Sequence, residues 1–217
     1  MFQMTLLFDA TLQTVYMVFF SGVIATLVGL PWGIVLFTSR KGNILAHPLL
    51  YQVLAAVVNV TRSIPFIILM IAVIPFTRIV VGSSIGTNAA IVPLSLCAMP
   101  FIARVVENAL LEVDRGLVEA ATAMGATAWQ IVCKVFIPEA LPGIINGLTL
   151  TVVSLIGYSA MAGAVGGGGL GDLAIRYGYQ RFDTRVMLMT IVVMIILVQL
   201  MQWVGDKLAK WCSHSKP

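Results

Sequence analysis

Apolar residues in this chain gather into long runs separated by short polar connectors. Five runs stand out, roughly Leu12–Phe37, Leu49–Ile74, Ala89–Leu111, Leu141–Val165 and Val186–Val204. Each is long enough to cross about 30 Å of hydrocarbon at about 1.5 Å rise per residue. Lipid offers the backbone no hydrogen-bond partners, so the runs are expected to be helices. They do not alternate, which argues against a barrel. The pattern predicts an all-α polytopic membrane protein with five transmembrane helices in a single domain, residues 1–217. A polar loop, roughly 112–138, joins the third span to the fourth.

Composition agrees. Hydrophobic residues make up 59% of the chain and charged residues 10%, against roughly 25% charged in a soluble domain. No Lys or Arg precedes the first apolar run, and no small-residue cleavage site follows it. A cleaved signal peptide is therefore not expected. Arg40, Lys41, Arg104, Arg115, Lys134, Lys207, Lys210 and Lys216 lie toward one side of the predicted topology, and Arg78, Arg176, Arg181 and Arg185 toward the other. Positively charged loops favour the cytoplasm. This places the N-terminus outside and the C-terminus inside.

The loop after the third span carries helix signals. Asp114 can cap a helix start. Leu117, Ala121 and Met124 fall on one helical face. Gly125 can stop the helix in the left-handed conformation. Thr127 and Gln130 have capping-box spacing for a second helix, which Pro138 is expected to end. Two short helices at the membrane face follow. On physics alone they either rest on lipid headgroups or receive a partner against the small residues Ala120, Ala121 and Ala123.

Glu119-Ala120-Ala121, Gly125 six residues after the Glu, and Ile137-Pro138 resemble the Glu-Ala-Ala loop of binding-protein-dependent ABC importer permeases. Val135 and Ile137 stand where that family's pattern ends in aliphatic residues before its proline. Arg62-Ser63-Ile64-Pro65-Phe66, Pro100-Phe101-Ile102-Ala103-Arg104, Glu107-Asn108 and Gly157-Tyr158-Ser159-Ala160-Met161 are similar to methionine-importer permeases within it. The resemblance implies a transport subunit of a bacterial inner membrane, working as a pair with a second copy of itself. Two ATPase subunits would bind ATP and Mg on the cytoplasmic side, and an external substrate-binding protein would deliver the solute. Glu119, Ala120, Ala121, Met124, Gly125, Ala126 and Pro138 would then form the surface that couples to the ATPase. An ABC permease for another amino acid or small solute is the alternative.

Nucleotide chemistry is not expected in this chain. The run Gly166-Gly167-Gly168-Gly169-Leu170-Gly171 is followed by Asp172, whereas a phosphate loop needs Lys and then Ser or Thr. It reads as a flexible turn at the outer end of the fourth span. By resemblance it lies at the outer gate, through Gly166, Gly168, Gly169 and Gly171. Cys97, Cys133 and Cys212 have no metal-ligand spacing, and His47 and His214 lie outside the spans. No resident metal, cofactor or nucleic-acid partner is expected, and a membrane enzyme is disfavoured. No acidic residue or His is placed at mid-span, which disfavours an ion-coupled transporter or channel.

Residues inside the spans, most of them polar, mark the expected pathway: Asn59, Arg62, Ser63, Pro65, Asn108, Tyr158, Ser159 and Met161. An Arg at mid-bilayer costs about 2.5–3.5 kcal/mol on insertion scales. Pro65 frees the carbonyl of Thr61, one partner for Arg62. Arg62 either lines the pathway or braces a kink. Arg104 and Glu107, three residues apart, read as a surface ion pair or as part of an inner mouth. Gly29 with Gly33, and Gly143 with Gly147, allow close helix approach within the chain or between subunits.

Overall fold

The computed structural model describes residues 2–213; Lys216 and His214 lie outside them. Every regular element described is helical. The first is α1, Phe2–Ser39, followed by α2, Pro48–Ser63, α3, Phe66–Ala72, and α4, Ile74–Val81. A long α5, Thr87–Leu111, leads to α6, Arg115–Ala123, and α7, Ala128–Ile131. A π-helical segment, Val132–Phe136, passes into α8, Ile137–Ala164. Then come α9, Gly169–Leu173, a second π-helical segment, Ala174–Tyr179, and α10, Thr184–Cys212.

Four of these stretches are single helices long and apolar enough to cross a bilayer: Met4–Ser39, Thr87–Leu111, Ala128–Ala164 and Thr184–Cys212. The expected second span is different. It breaks into α2 and α3, which meet at 103°. Pro65 causes the break. It has no N–H to donate to Thr61, and its ring forces Ile64 into an extended conformation, φ −83° and ψ 123°. The count is four crossings, or five if the bent pair makes one.

Close backbone contact holds the bundle together. A Cβ at Gly29 would lie 2.7 Å from the Met99 carbonyl oxygen on α5, and one at Gly33 would lie 2.6 Å from that of Ala103. Only glycine lets α1 sit this close. Gly143 and Gly147 seat α8 on Ala109 and Val105 of the same helix. Both small-residue pairs thus serve packing inside the chain. Leu94, Ile102, Val106 and Leu155 form the fully buried centre between these helices. Outward faces stay apolar: Phe8, Phe19, Leu27, Ile79, Leu188 and Ile195 are all exposed, as lipid-facing side chains must be.

Pro138 does not end a helix. It occupies the first turn of α8, in a helical run continuous from Ala128 to Ala164. The preceding π-helical turn prepares this. Its bonds run five residues back, as Ile137 N–H to the Val132 carbonyl shows, and the proline ring falls where no donor is needed.

Candidate functional site

Three regions hold the residues that the sequence singled out. The first is the α6–α7 element. Asp114 caps α6, its Oδ1 accepting from the Gly116 N–H at 2.6 Å. Gly125 closes it at φ 79°, with Ala126 N–H donating to the Ala121 carbonyl. The capping box of α7 is present: Thr127 Oγ1 accepts from Gln130 N–H, and Gln130 Oε1 accepts from Thr127 N–H at 2.8 Å. Ala121 is buried against the bundle, which fixes the roll of α6. Ala120, Ala123 and Met124 are exposed, Met124 to 82% at the C-terminal cap of α6. Trp129 on α7 is 75% exposed. Glu119, exposed as well, sits with Arg115 and Val118 on the wall of a cavity beneath α6.

The second region is a cavity of about 230 Å³ at the break between α2 and α3. Arg62, Phe66, Phe101, Cys97 and Tyr158 line it. Arg62 does not turn back to the freed Thr61 carbonyl, which accepts from Ile64 N–H at 3.3 Å. Its guanidinium lies instead over the Phe101 ring, 5.5 Å from the centroid. Phe66 stacks on Tyr158 at 5.0 Å. The structure thus unites Arg62 with Tyr158 and adds Phe66, Phe101 and Cys97. The aromatic partners escaped sequence reading because an apolar ring on a membrane helix reads as lipid contact. No Asp or Glu lines this cavity.

The other expected pathway residues scatter. Ser159 is buried in the core and donates to the Ile156 carbonyl at 2.7 Å. Met161 is exposed on α8 and Asn108 on α5. Ser63 donates to the Asn59 carbonyl, and Pro65 heads α3. Asn59 joins a different cluster. Its Oδ1 accepts from Arg104 Nη2 at 2.7 Å, while Arg104 Nη1 donates to Glu107 Oε2 at 2.6 Å. This is no surface ion pair. The Glu107 side chain is only 1% exposed and that of Arg104 19%. The cluster ties α2 to α5.

The glycine-rich stretch is the third region, and it is anchored rather than flexible. Gly169 N–H donates to Gln13 Oε1 and Leu170 N–H to Thr14 Oγ1, both on α1. Gly86 N–H, at the head of α5, donates to the Gly166 carbonyl. Gly166, Gly168 and Gly169 have φ of 85°, 76° and 78°, a geometry that explains three of the glycines. Gly171 is buried against the backbone of Ala160. Asp172 is engaged by Arg176.

Residues 29–214 match the family described as binding-protein-dependent transport system inner membrane component. The chain belongs to that family. The match covers α2 to α10 and only the C-terminal part of α1, from Gly29 to Ser39. The probable D-methionine transport system permease protein MetI of Vibrio cholerae is 54% identical over 96% of this chain and 93% of its own length. Its Escherichia coli K12 counterpart, the D-methionine transport system permease protein MetI, is 56% identical over 74% of each chain. A chain of the MetNI methionine ABC transporter, solved in inward-facing conformations, superposes with a TM-score of 0.95. It is 52% identical, and the match covers 97% of this chain and 98% of that one. An amino acid ABC transporter chain at 20% identity and a TM-score of 0.73 shares the fold. As a member of this family, the chain is an inner-membrane transport component.

Proposed function

We propose that this chain is the permease subunit of a methionine importer driven by ATP hydrolysis on a separate subunit. The observation that carries this is the match to the methionine-transporter chain, which runs nearly the whole length of both chains at 52% identity. The helix order and the packing of α1, α5 and α8 fit a pathway built by two copies of the chain. The bent pair α2–α3 counts as one crossing in this reading, making five. The N-terminus is then outside and the C-terminus cytoplasmic.

In this arrangement α6 and α7 face the cytoplasm. The exposed face of Ala120, Ala123 and Met124 supports docking by an ATPase subunit, since small side chains let a partner backbone come close. Ala121, Gly125, Ala126 and Pro138 shape and hold that element, while Glu119 stays exposed on it. Two ATPase subunits, each with ATP and Mg, would move the paired coupling helices. A substrate-binding protein would deliver solute at the opposite end, beside the glycine-rich turn. The cavity at Arg62 lies on the route between. Its guanidinium can accept a carboxylate, and its aromatic rings suit a thioether side chain.

Reconstitution tests the assignment. Proteoliposomes holding this chain and its ATPase, supplied with ATP and the binding protein, are expected to accumulate labelled methionine. Omitting any one component should reduce uptake to background. Uptake by this chain alone would overturn the reading, and a preference for another amino acid would overturn the methionine assignment.

Arg62→Met tests the pathway role. The complex should assemble normally, with methionine uptake reduced about tenfold, the loss of roughly one charge-assisted hydrogen bond. Unchanged uptake with unchanged assembly would leave Arg62 a structural brace.

A further inference from the structure

The cavity beneath α6, about 580 Å³, is larger than the one at Arg62. It lies where two crossings end. The last residue of α1 is Ser39 and the last of α5 is Leu111. Arg40 and Lys41 follow the first end, and Arg115 opens α6 just after the second; all three line the cavity. Glu119 is the one carboxylate there, so the lining carries a net charge of about +2.

Two features distinguish this from a scatter of surface lysines. None of the three cations forms an ion pair with a described residue. The connector that carries Arg40 and Lys41 is also tied down. Asn43 Nδ2 donates to the Phe37 carbonyl at 2.6 Å, Leu45 N–H to Thr38, and His47 N–H to Ser39 at 2.9 Å. Three cations with no ion-pair partner among the described residues thus share one space with a single carboxylate, and a bound anion would relieve the excess positive charge. The floor is apolar: Phe37 packs edge-on against Phe136 at 4.6 Å, beside Leu110.

We infer that this cavity binds the phosphate headgroup of an anionic phospholipid. Its chemistry is that of a phosphate oxyanion held by guanidinium and ammonium donors. Its apolar floor of Phe37, Leu110 and Phe136 selects a lipid over free phosphate. Arg40 and Lys41 follow directly on the apolar α1 and Arg115 opens α6 shortly after the apolar α5 ends, so the cations lie just past the ends of two candidate spans. Basic pockets between membrane helices hold acidic headgroups in this way. The net charge selects an anionic lipid over a zwitterionic one. A lipid seated there lies against Arg115, Val118 and Glu119 of α6. It would set the height of that helix above the bundle.

The test is native mass spectrometry of the full-length chain from nanodiscs of mixed phosphatidylglycerol and phosphatidylethanolamine. The wild type should retain phosphatidylglycerol selectively. Arg40→Gln, Lys41→Gln and Arg115→Gln together should weaken that retention on the order of a hundredfold, from about fivefold per cation near an anionic surface. Arg78→Gln, Arg181→Gln and Arg185→Gln remove the same charge from elsewhere and should leave it intact. Thermal unfolding confirms that both triple variants fold; if the cavity variant does not, Arg40→Gln alone should lower retention about fivefold.

Equal loss in both triples would overturn the site, as would preferential retention of phosphatidylethanolamine. Competition by millimolar inorganic phosphate, matching that by short-chain phosphatidylglycerol, would assign the cavity to free phosphate and overturn the lipid. Loss of ATPase co-purification without loss of lipid would make the cavity a protein contact instead.

Discussion

Arg104→Met is expected to destabilise the folded chain by about 3–5 kcal/mol, the usual cost of stripping one partner from a buried ion pair. The magnitude follows from Glu107. Its side chain is 1% exposed, and its Oε1 already has no hydrogen-bond partner among the described residues. Oε2 takes its hydrogen bond from Arg104. Without Arg104, both oxygens are buried without a donor, and Asn59 on α2 loses its link to α5. Adding Glu107→Gln should recover at least half of the loss, because a neutral amide costs far less to bury than a carboxylate. Thermal unfolding of the detergent-purified variants measures both. A single variant within about 0.5 kcal/mol of wild type would show that water reaches Glu107.

The second large effect is expected at Gly171. A Cβ there would lie 2.3 Å from the carbonyl oxygen of Ala160 and 2.4 Å from its Cα. Both are backbone atoms of α8 and cannot swing aside as a side chain end would. Gly163 faces the same contact, its Cβ position falling 2.3 Å from the Asp172 nitrogen. Even Gly171→Ala must push α9 off α8, at about 3 kcal/mol, the upper part of the usual range for overpacking. Gly22→Ala is the matched control, since its Cβ would meet only Leu155 at 3.9 Å. It should be neutral or slightly stabilising, because alanine favours helix over glycine. If Gly171→Ala unfolds at the wild-type temperature, α8 and α9 are not in backbone contact.

Local signals in the chain were legible because their partners lie within a few residues. The capping residue Asp114, the Thr127–Gln130 box and the Gly125 stop each depend on a turn of backbone. Long apolar runs likewise declare helices by themselves. Features that depend on a distant partner were not legible. Three-residue spacing pairs Arg104 with Glu107 but is silent on the α2 residue, Asn59, that completes the cluster. The glycine run looks loose until Gln13 and Thr14, 156 residues earlier, are brought against it. Ser159 looked available because a hydroxyl on an apolar helix advertises polarity. It satisfies itself on its own helix backbone, as Thr151 and Ser154 also do. The prolines show the limit most plainly. The same residue type breaks one helix at Pro65 and lies within unbroken α1, α5 and α8 at Pro31, Pro93, Pro100 and Pro142.

The contact made by Gly29 and Gly33 constrains how this molecule can move. With glycine at those two positions, α1 rests on the carbonyl oxygens of Met99 and Ala103. Sliding α1 by one residue would carry Val28 or Leu30, and Trp32 or Ile34, into those oxygens. The two helices therefore have one register and travel as a single strut. Any alternation of access must turn about a joint elsewhere. The break at Pro65, where α2 and α3 part at 103°, is the joint that the backbone already provides.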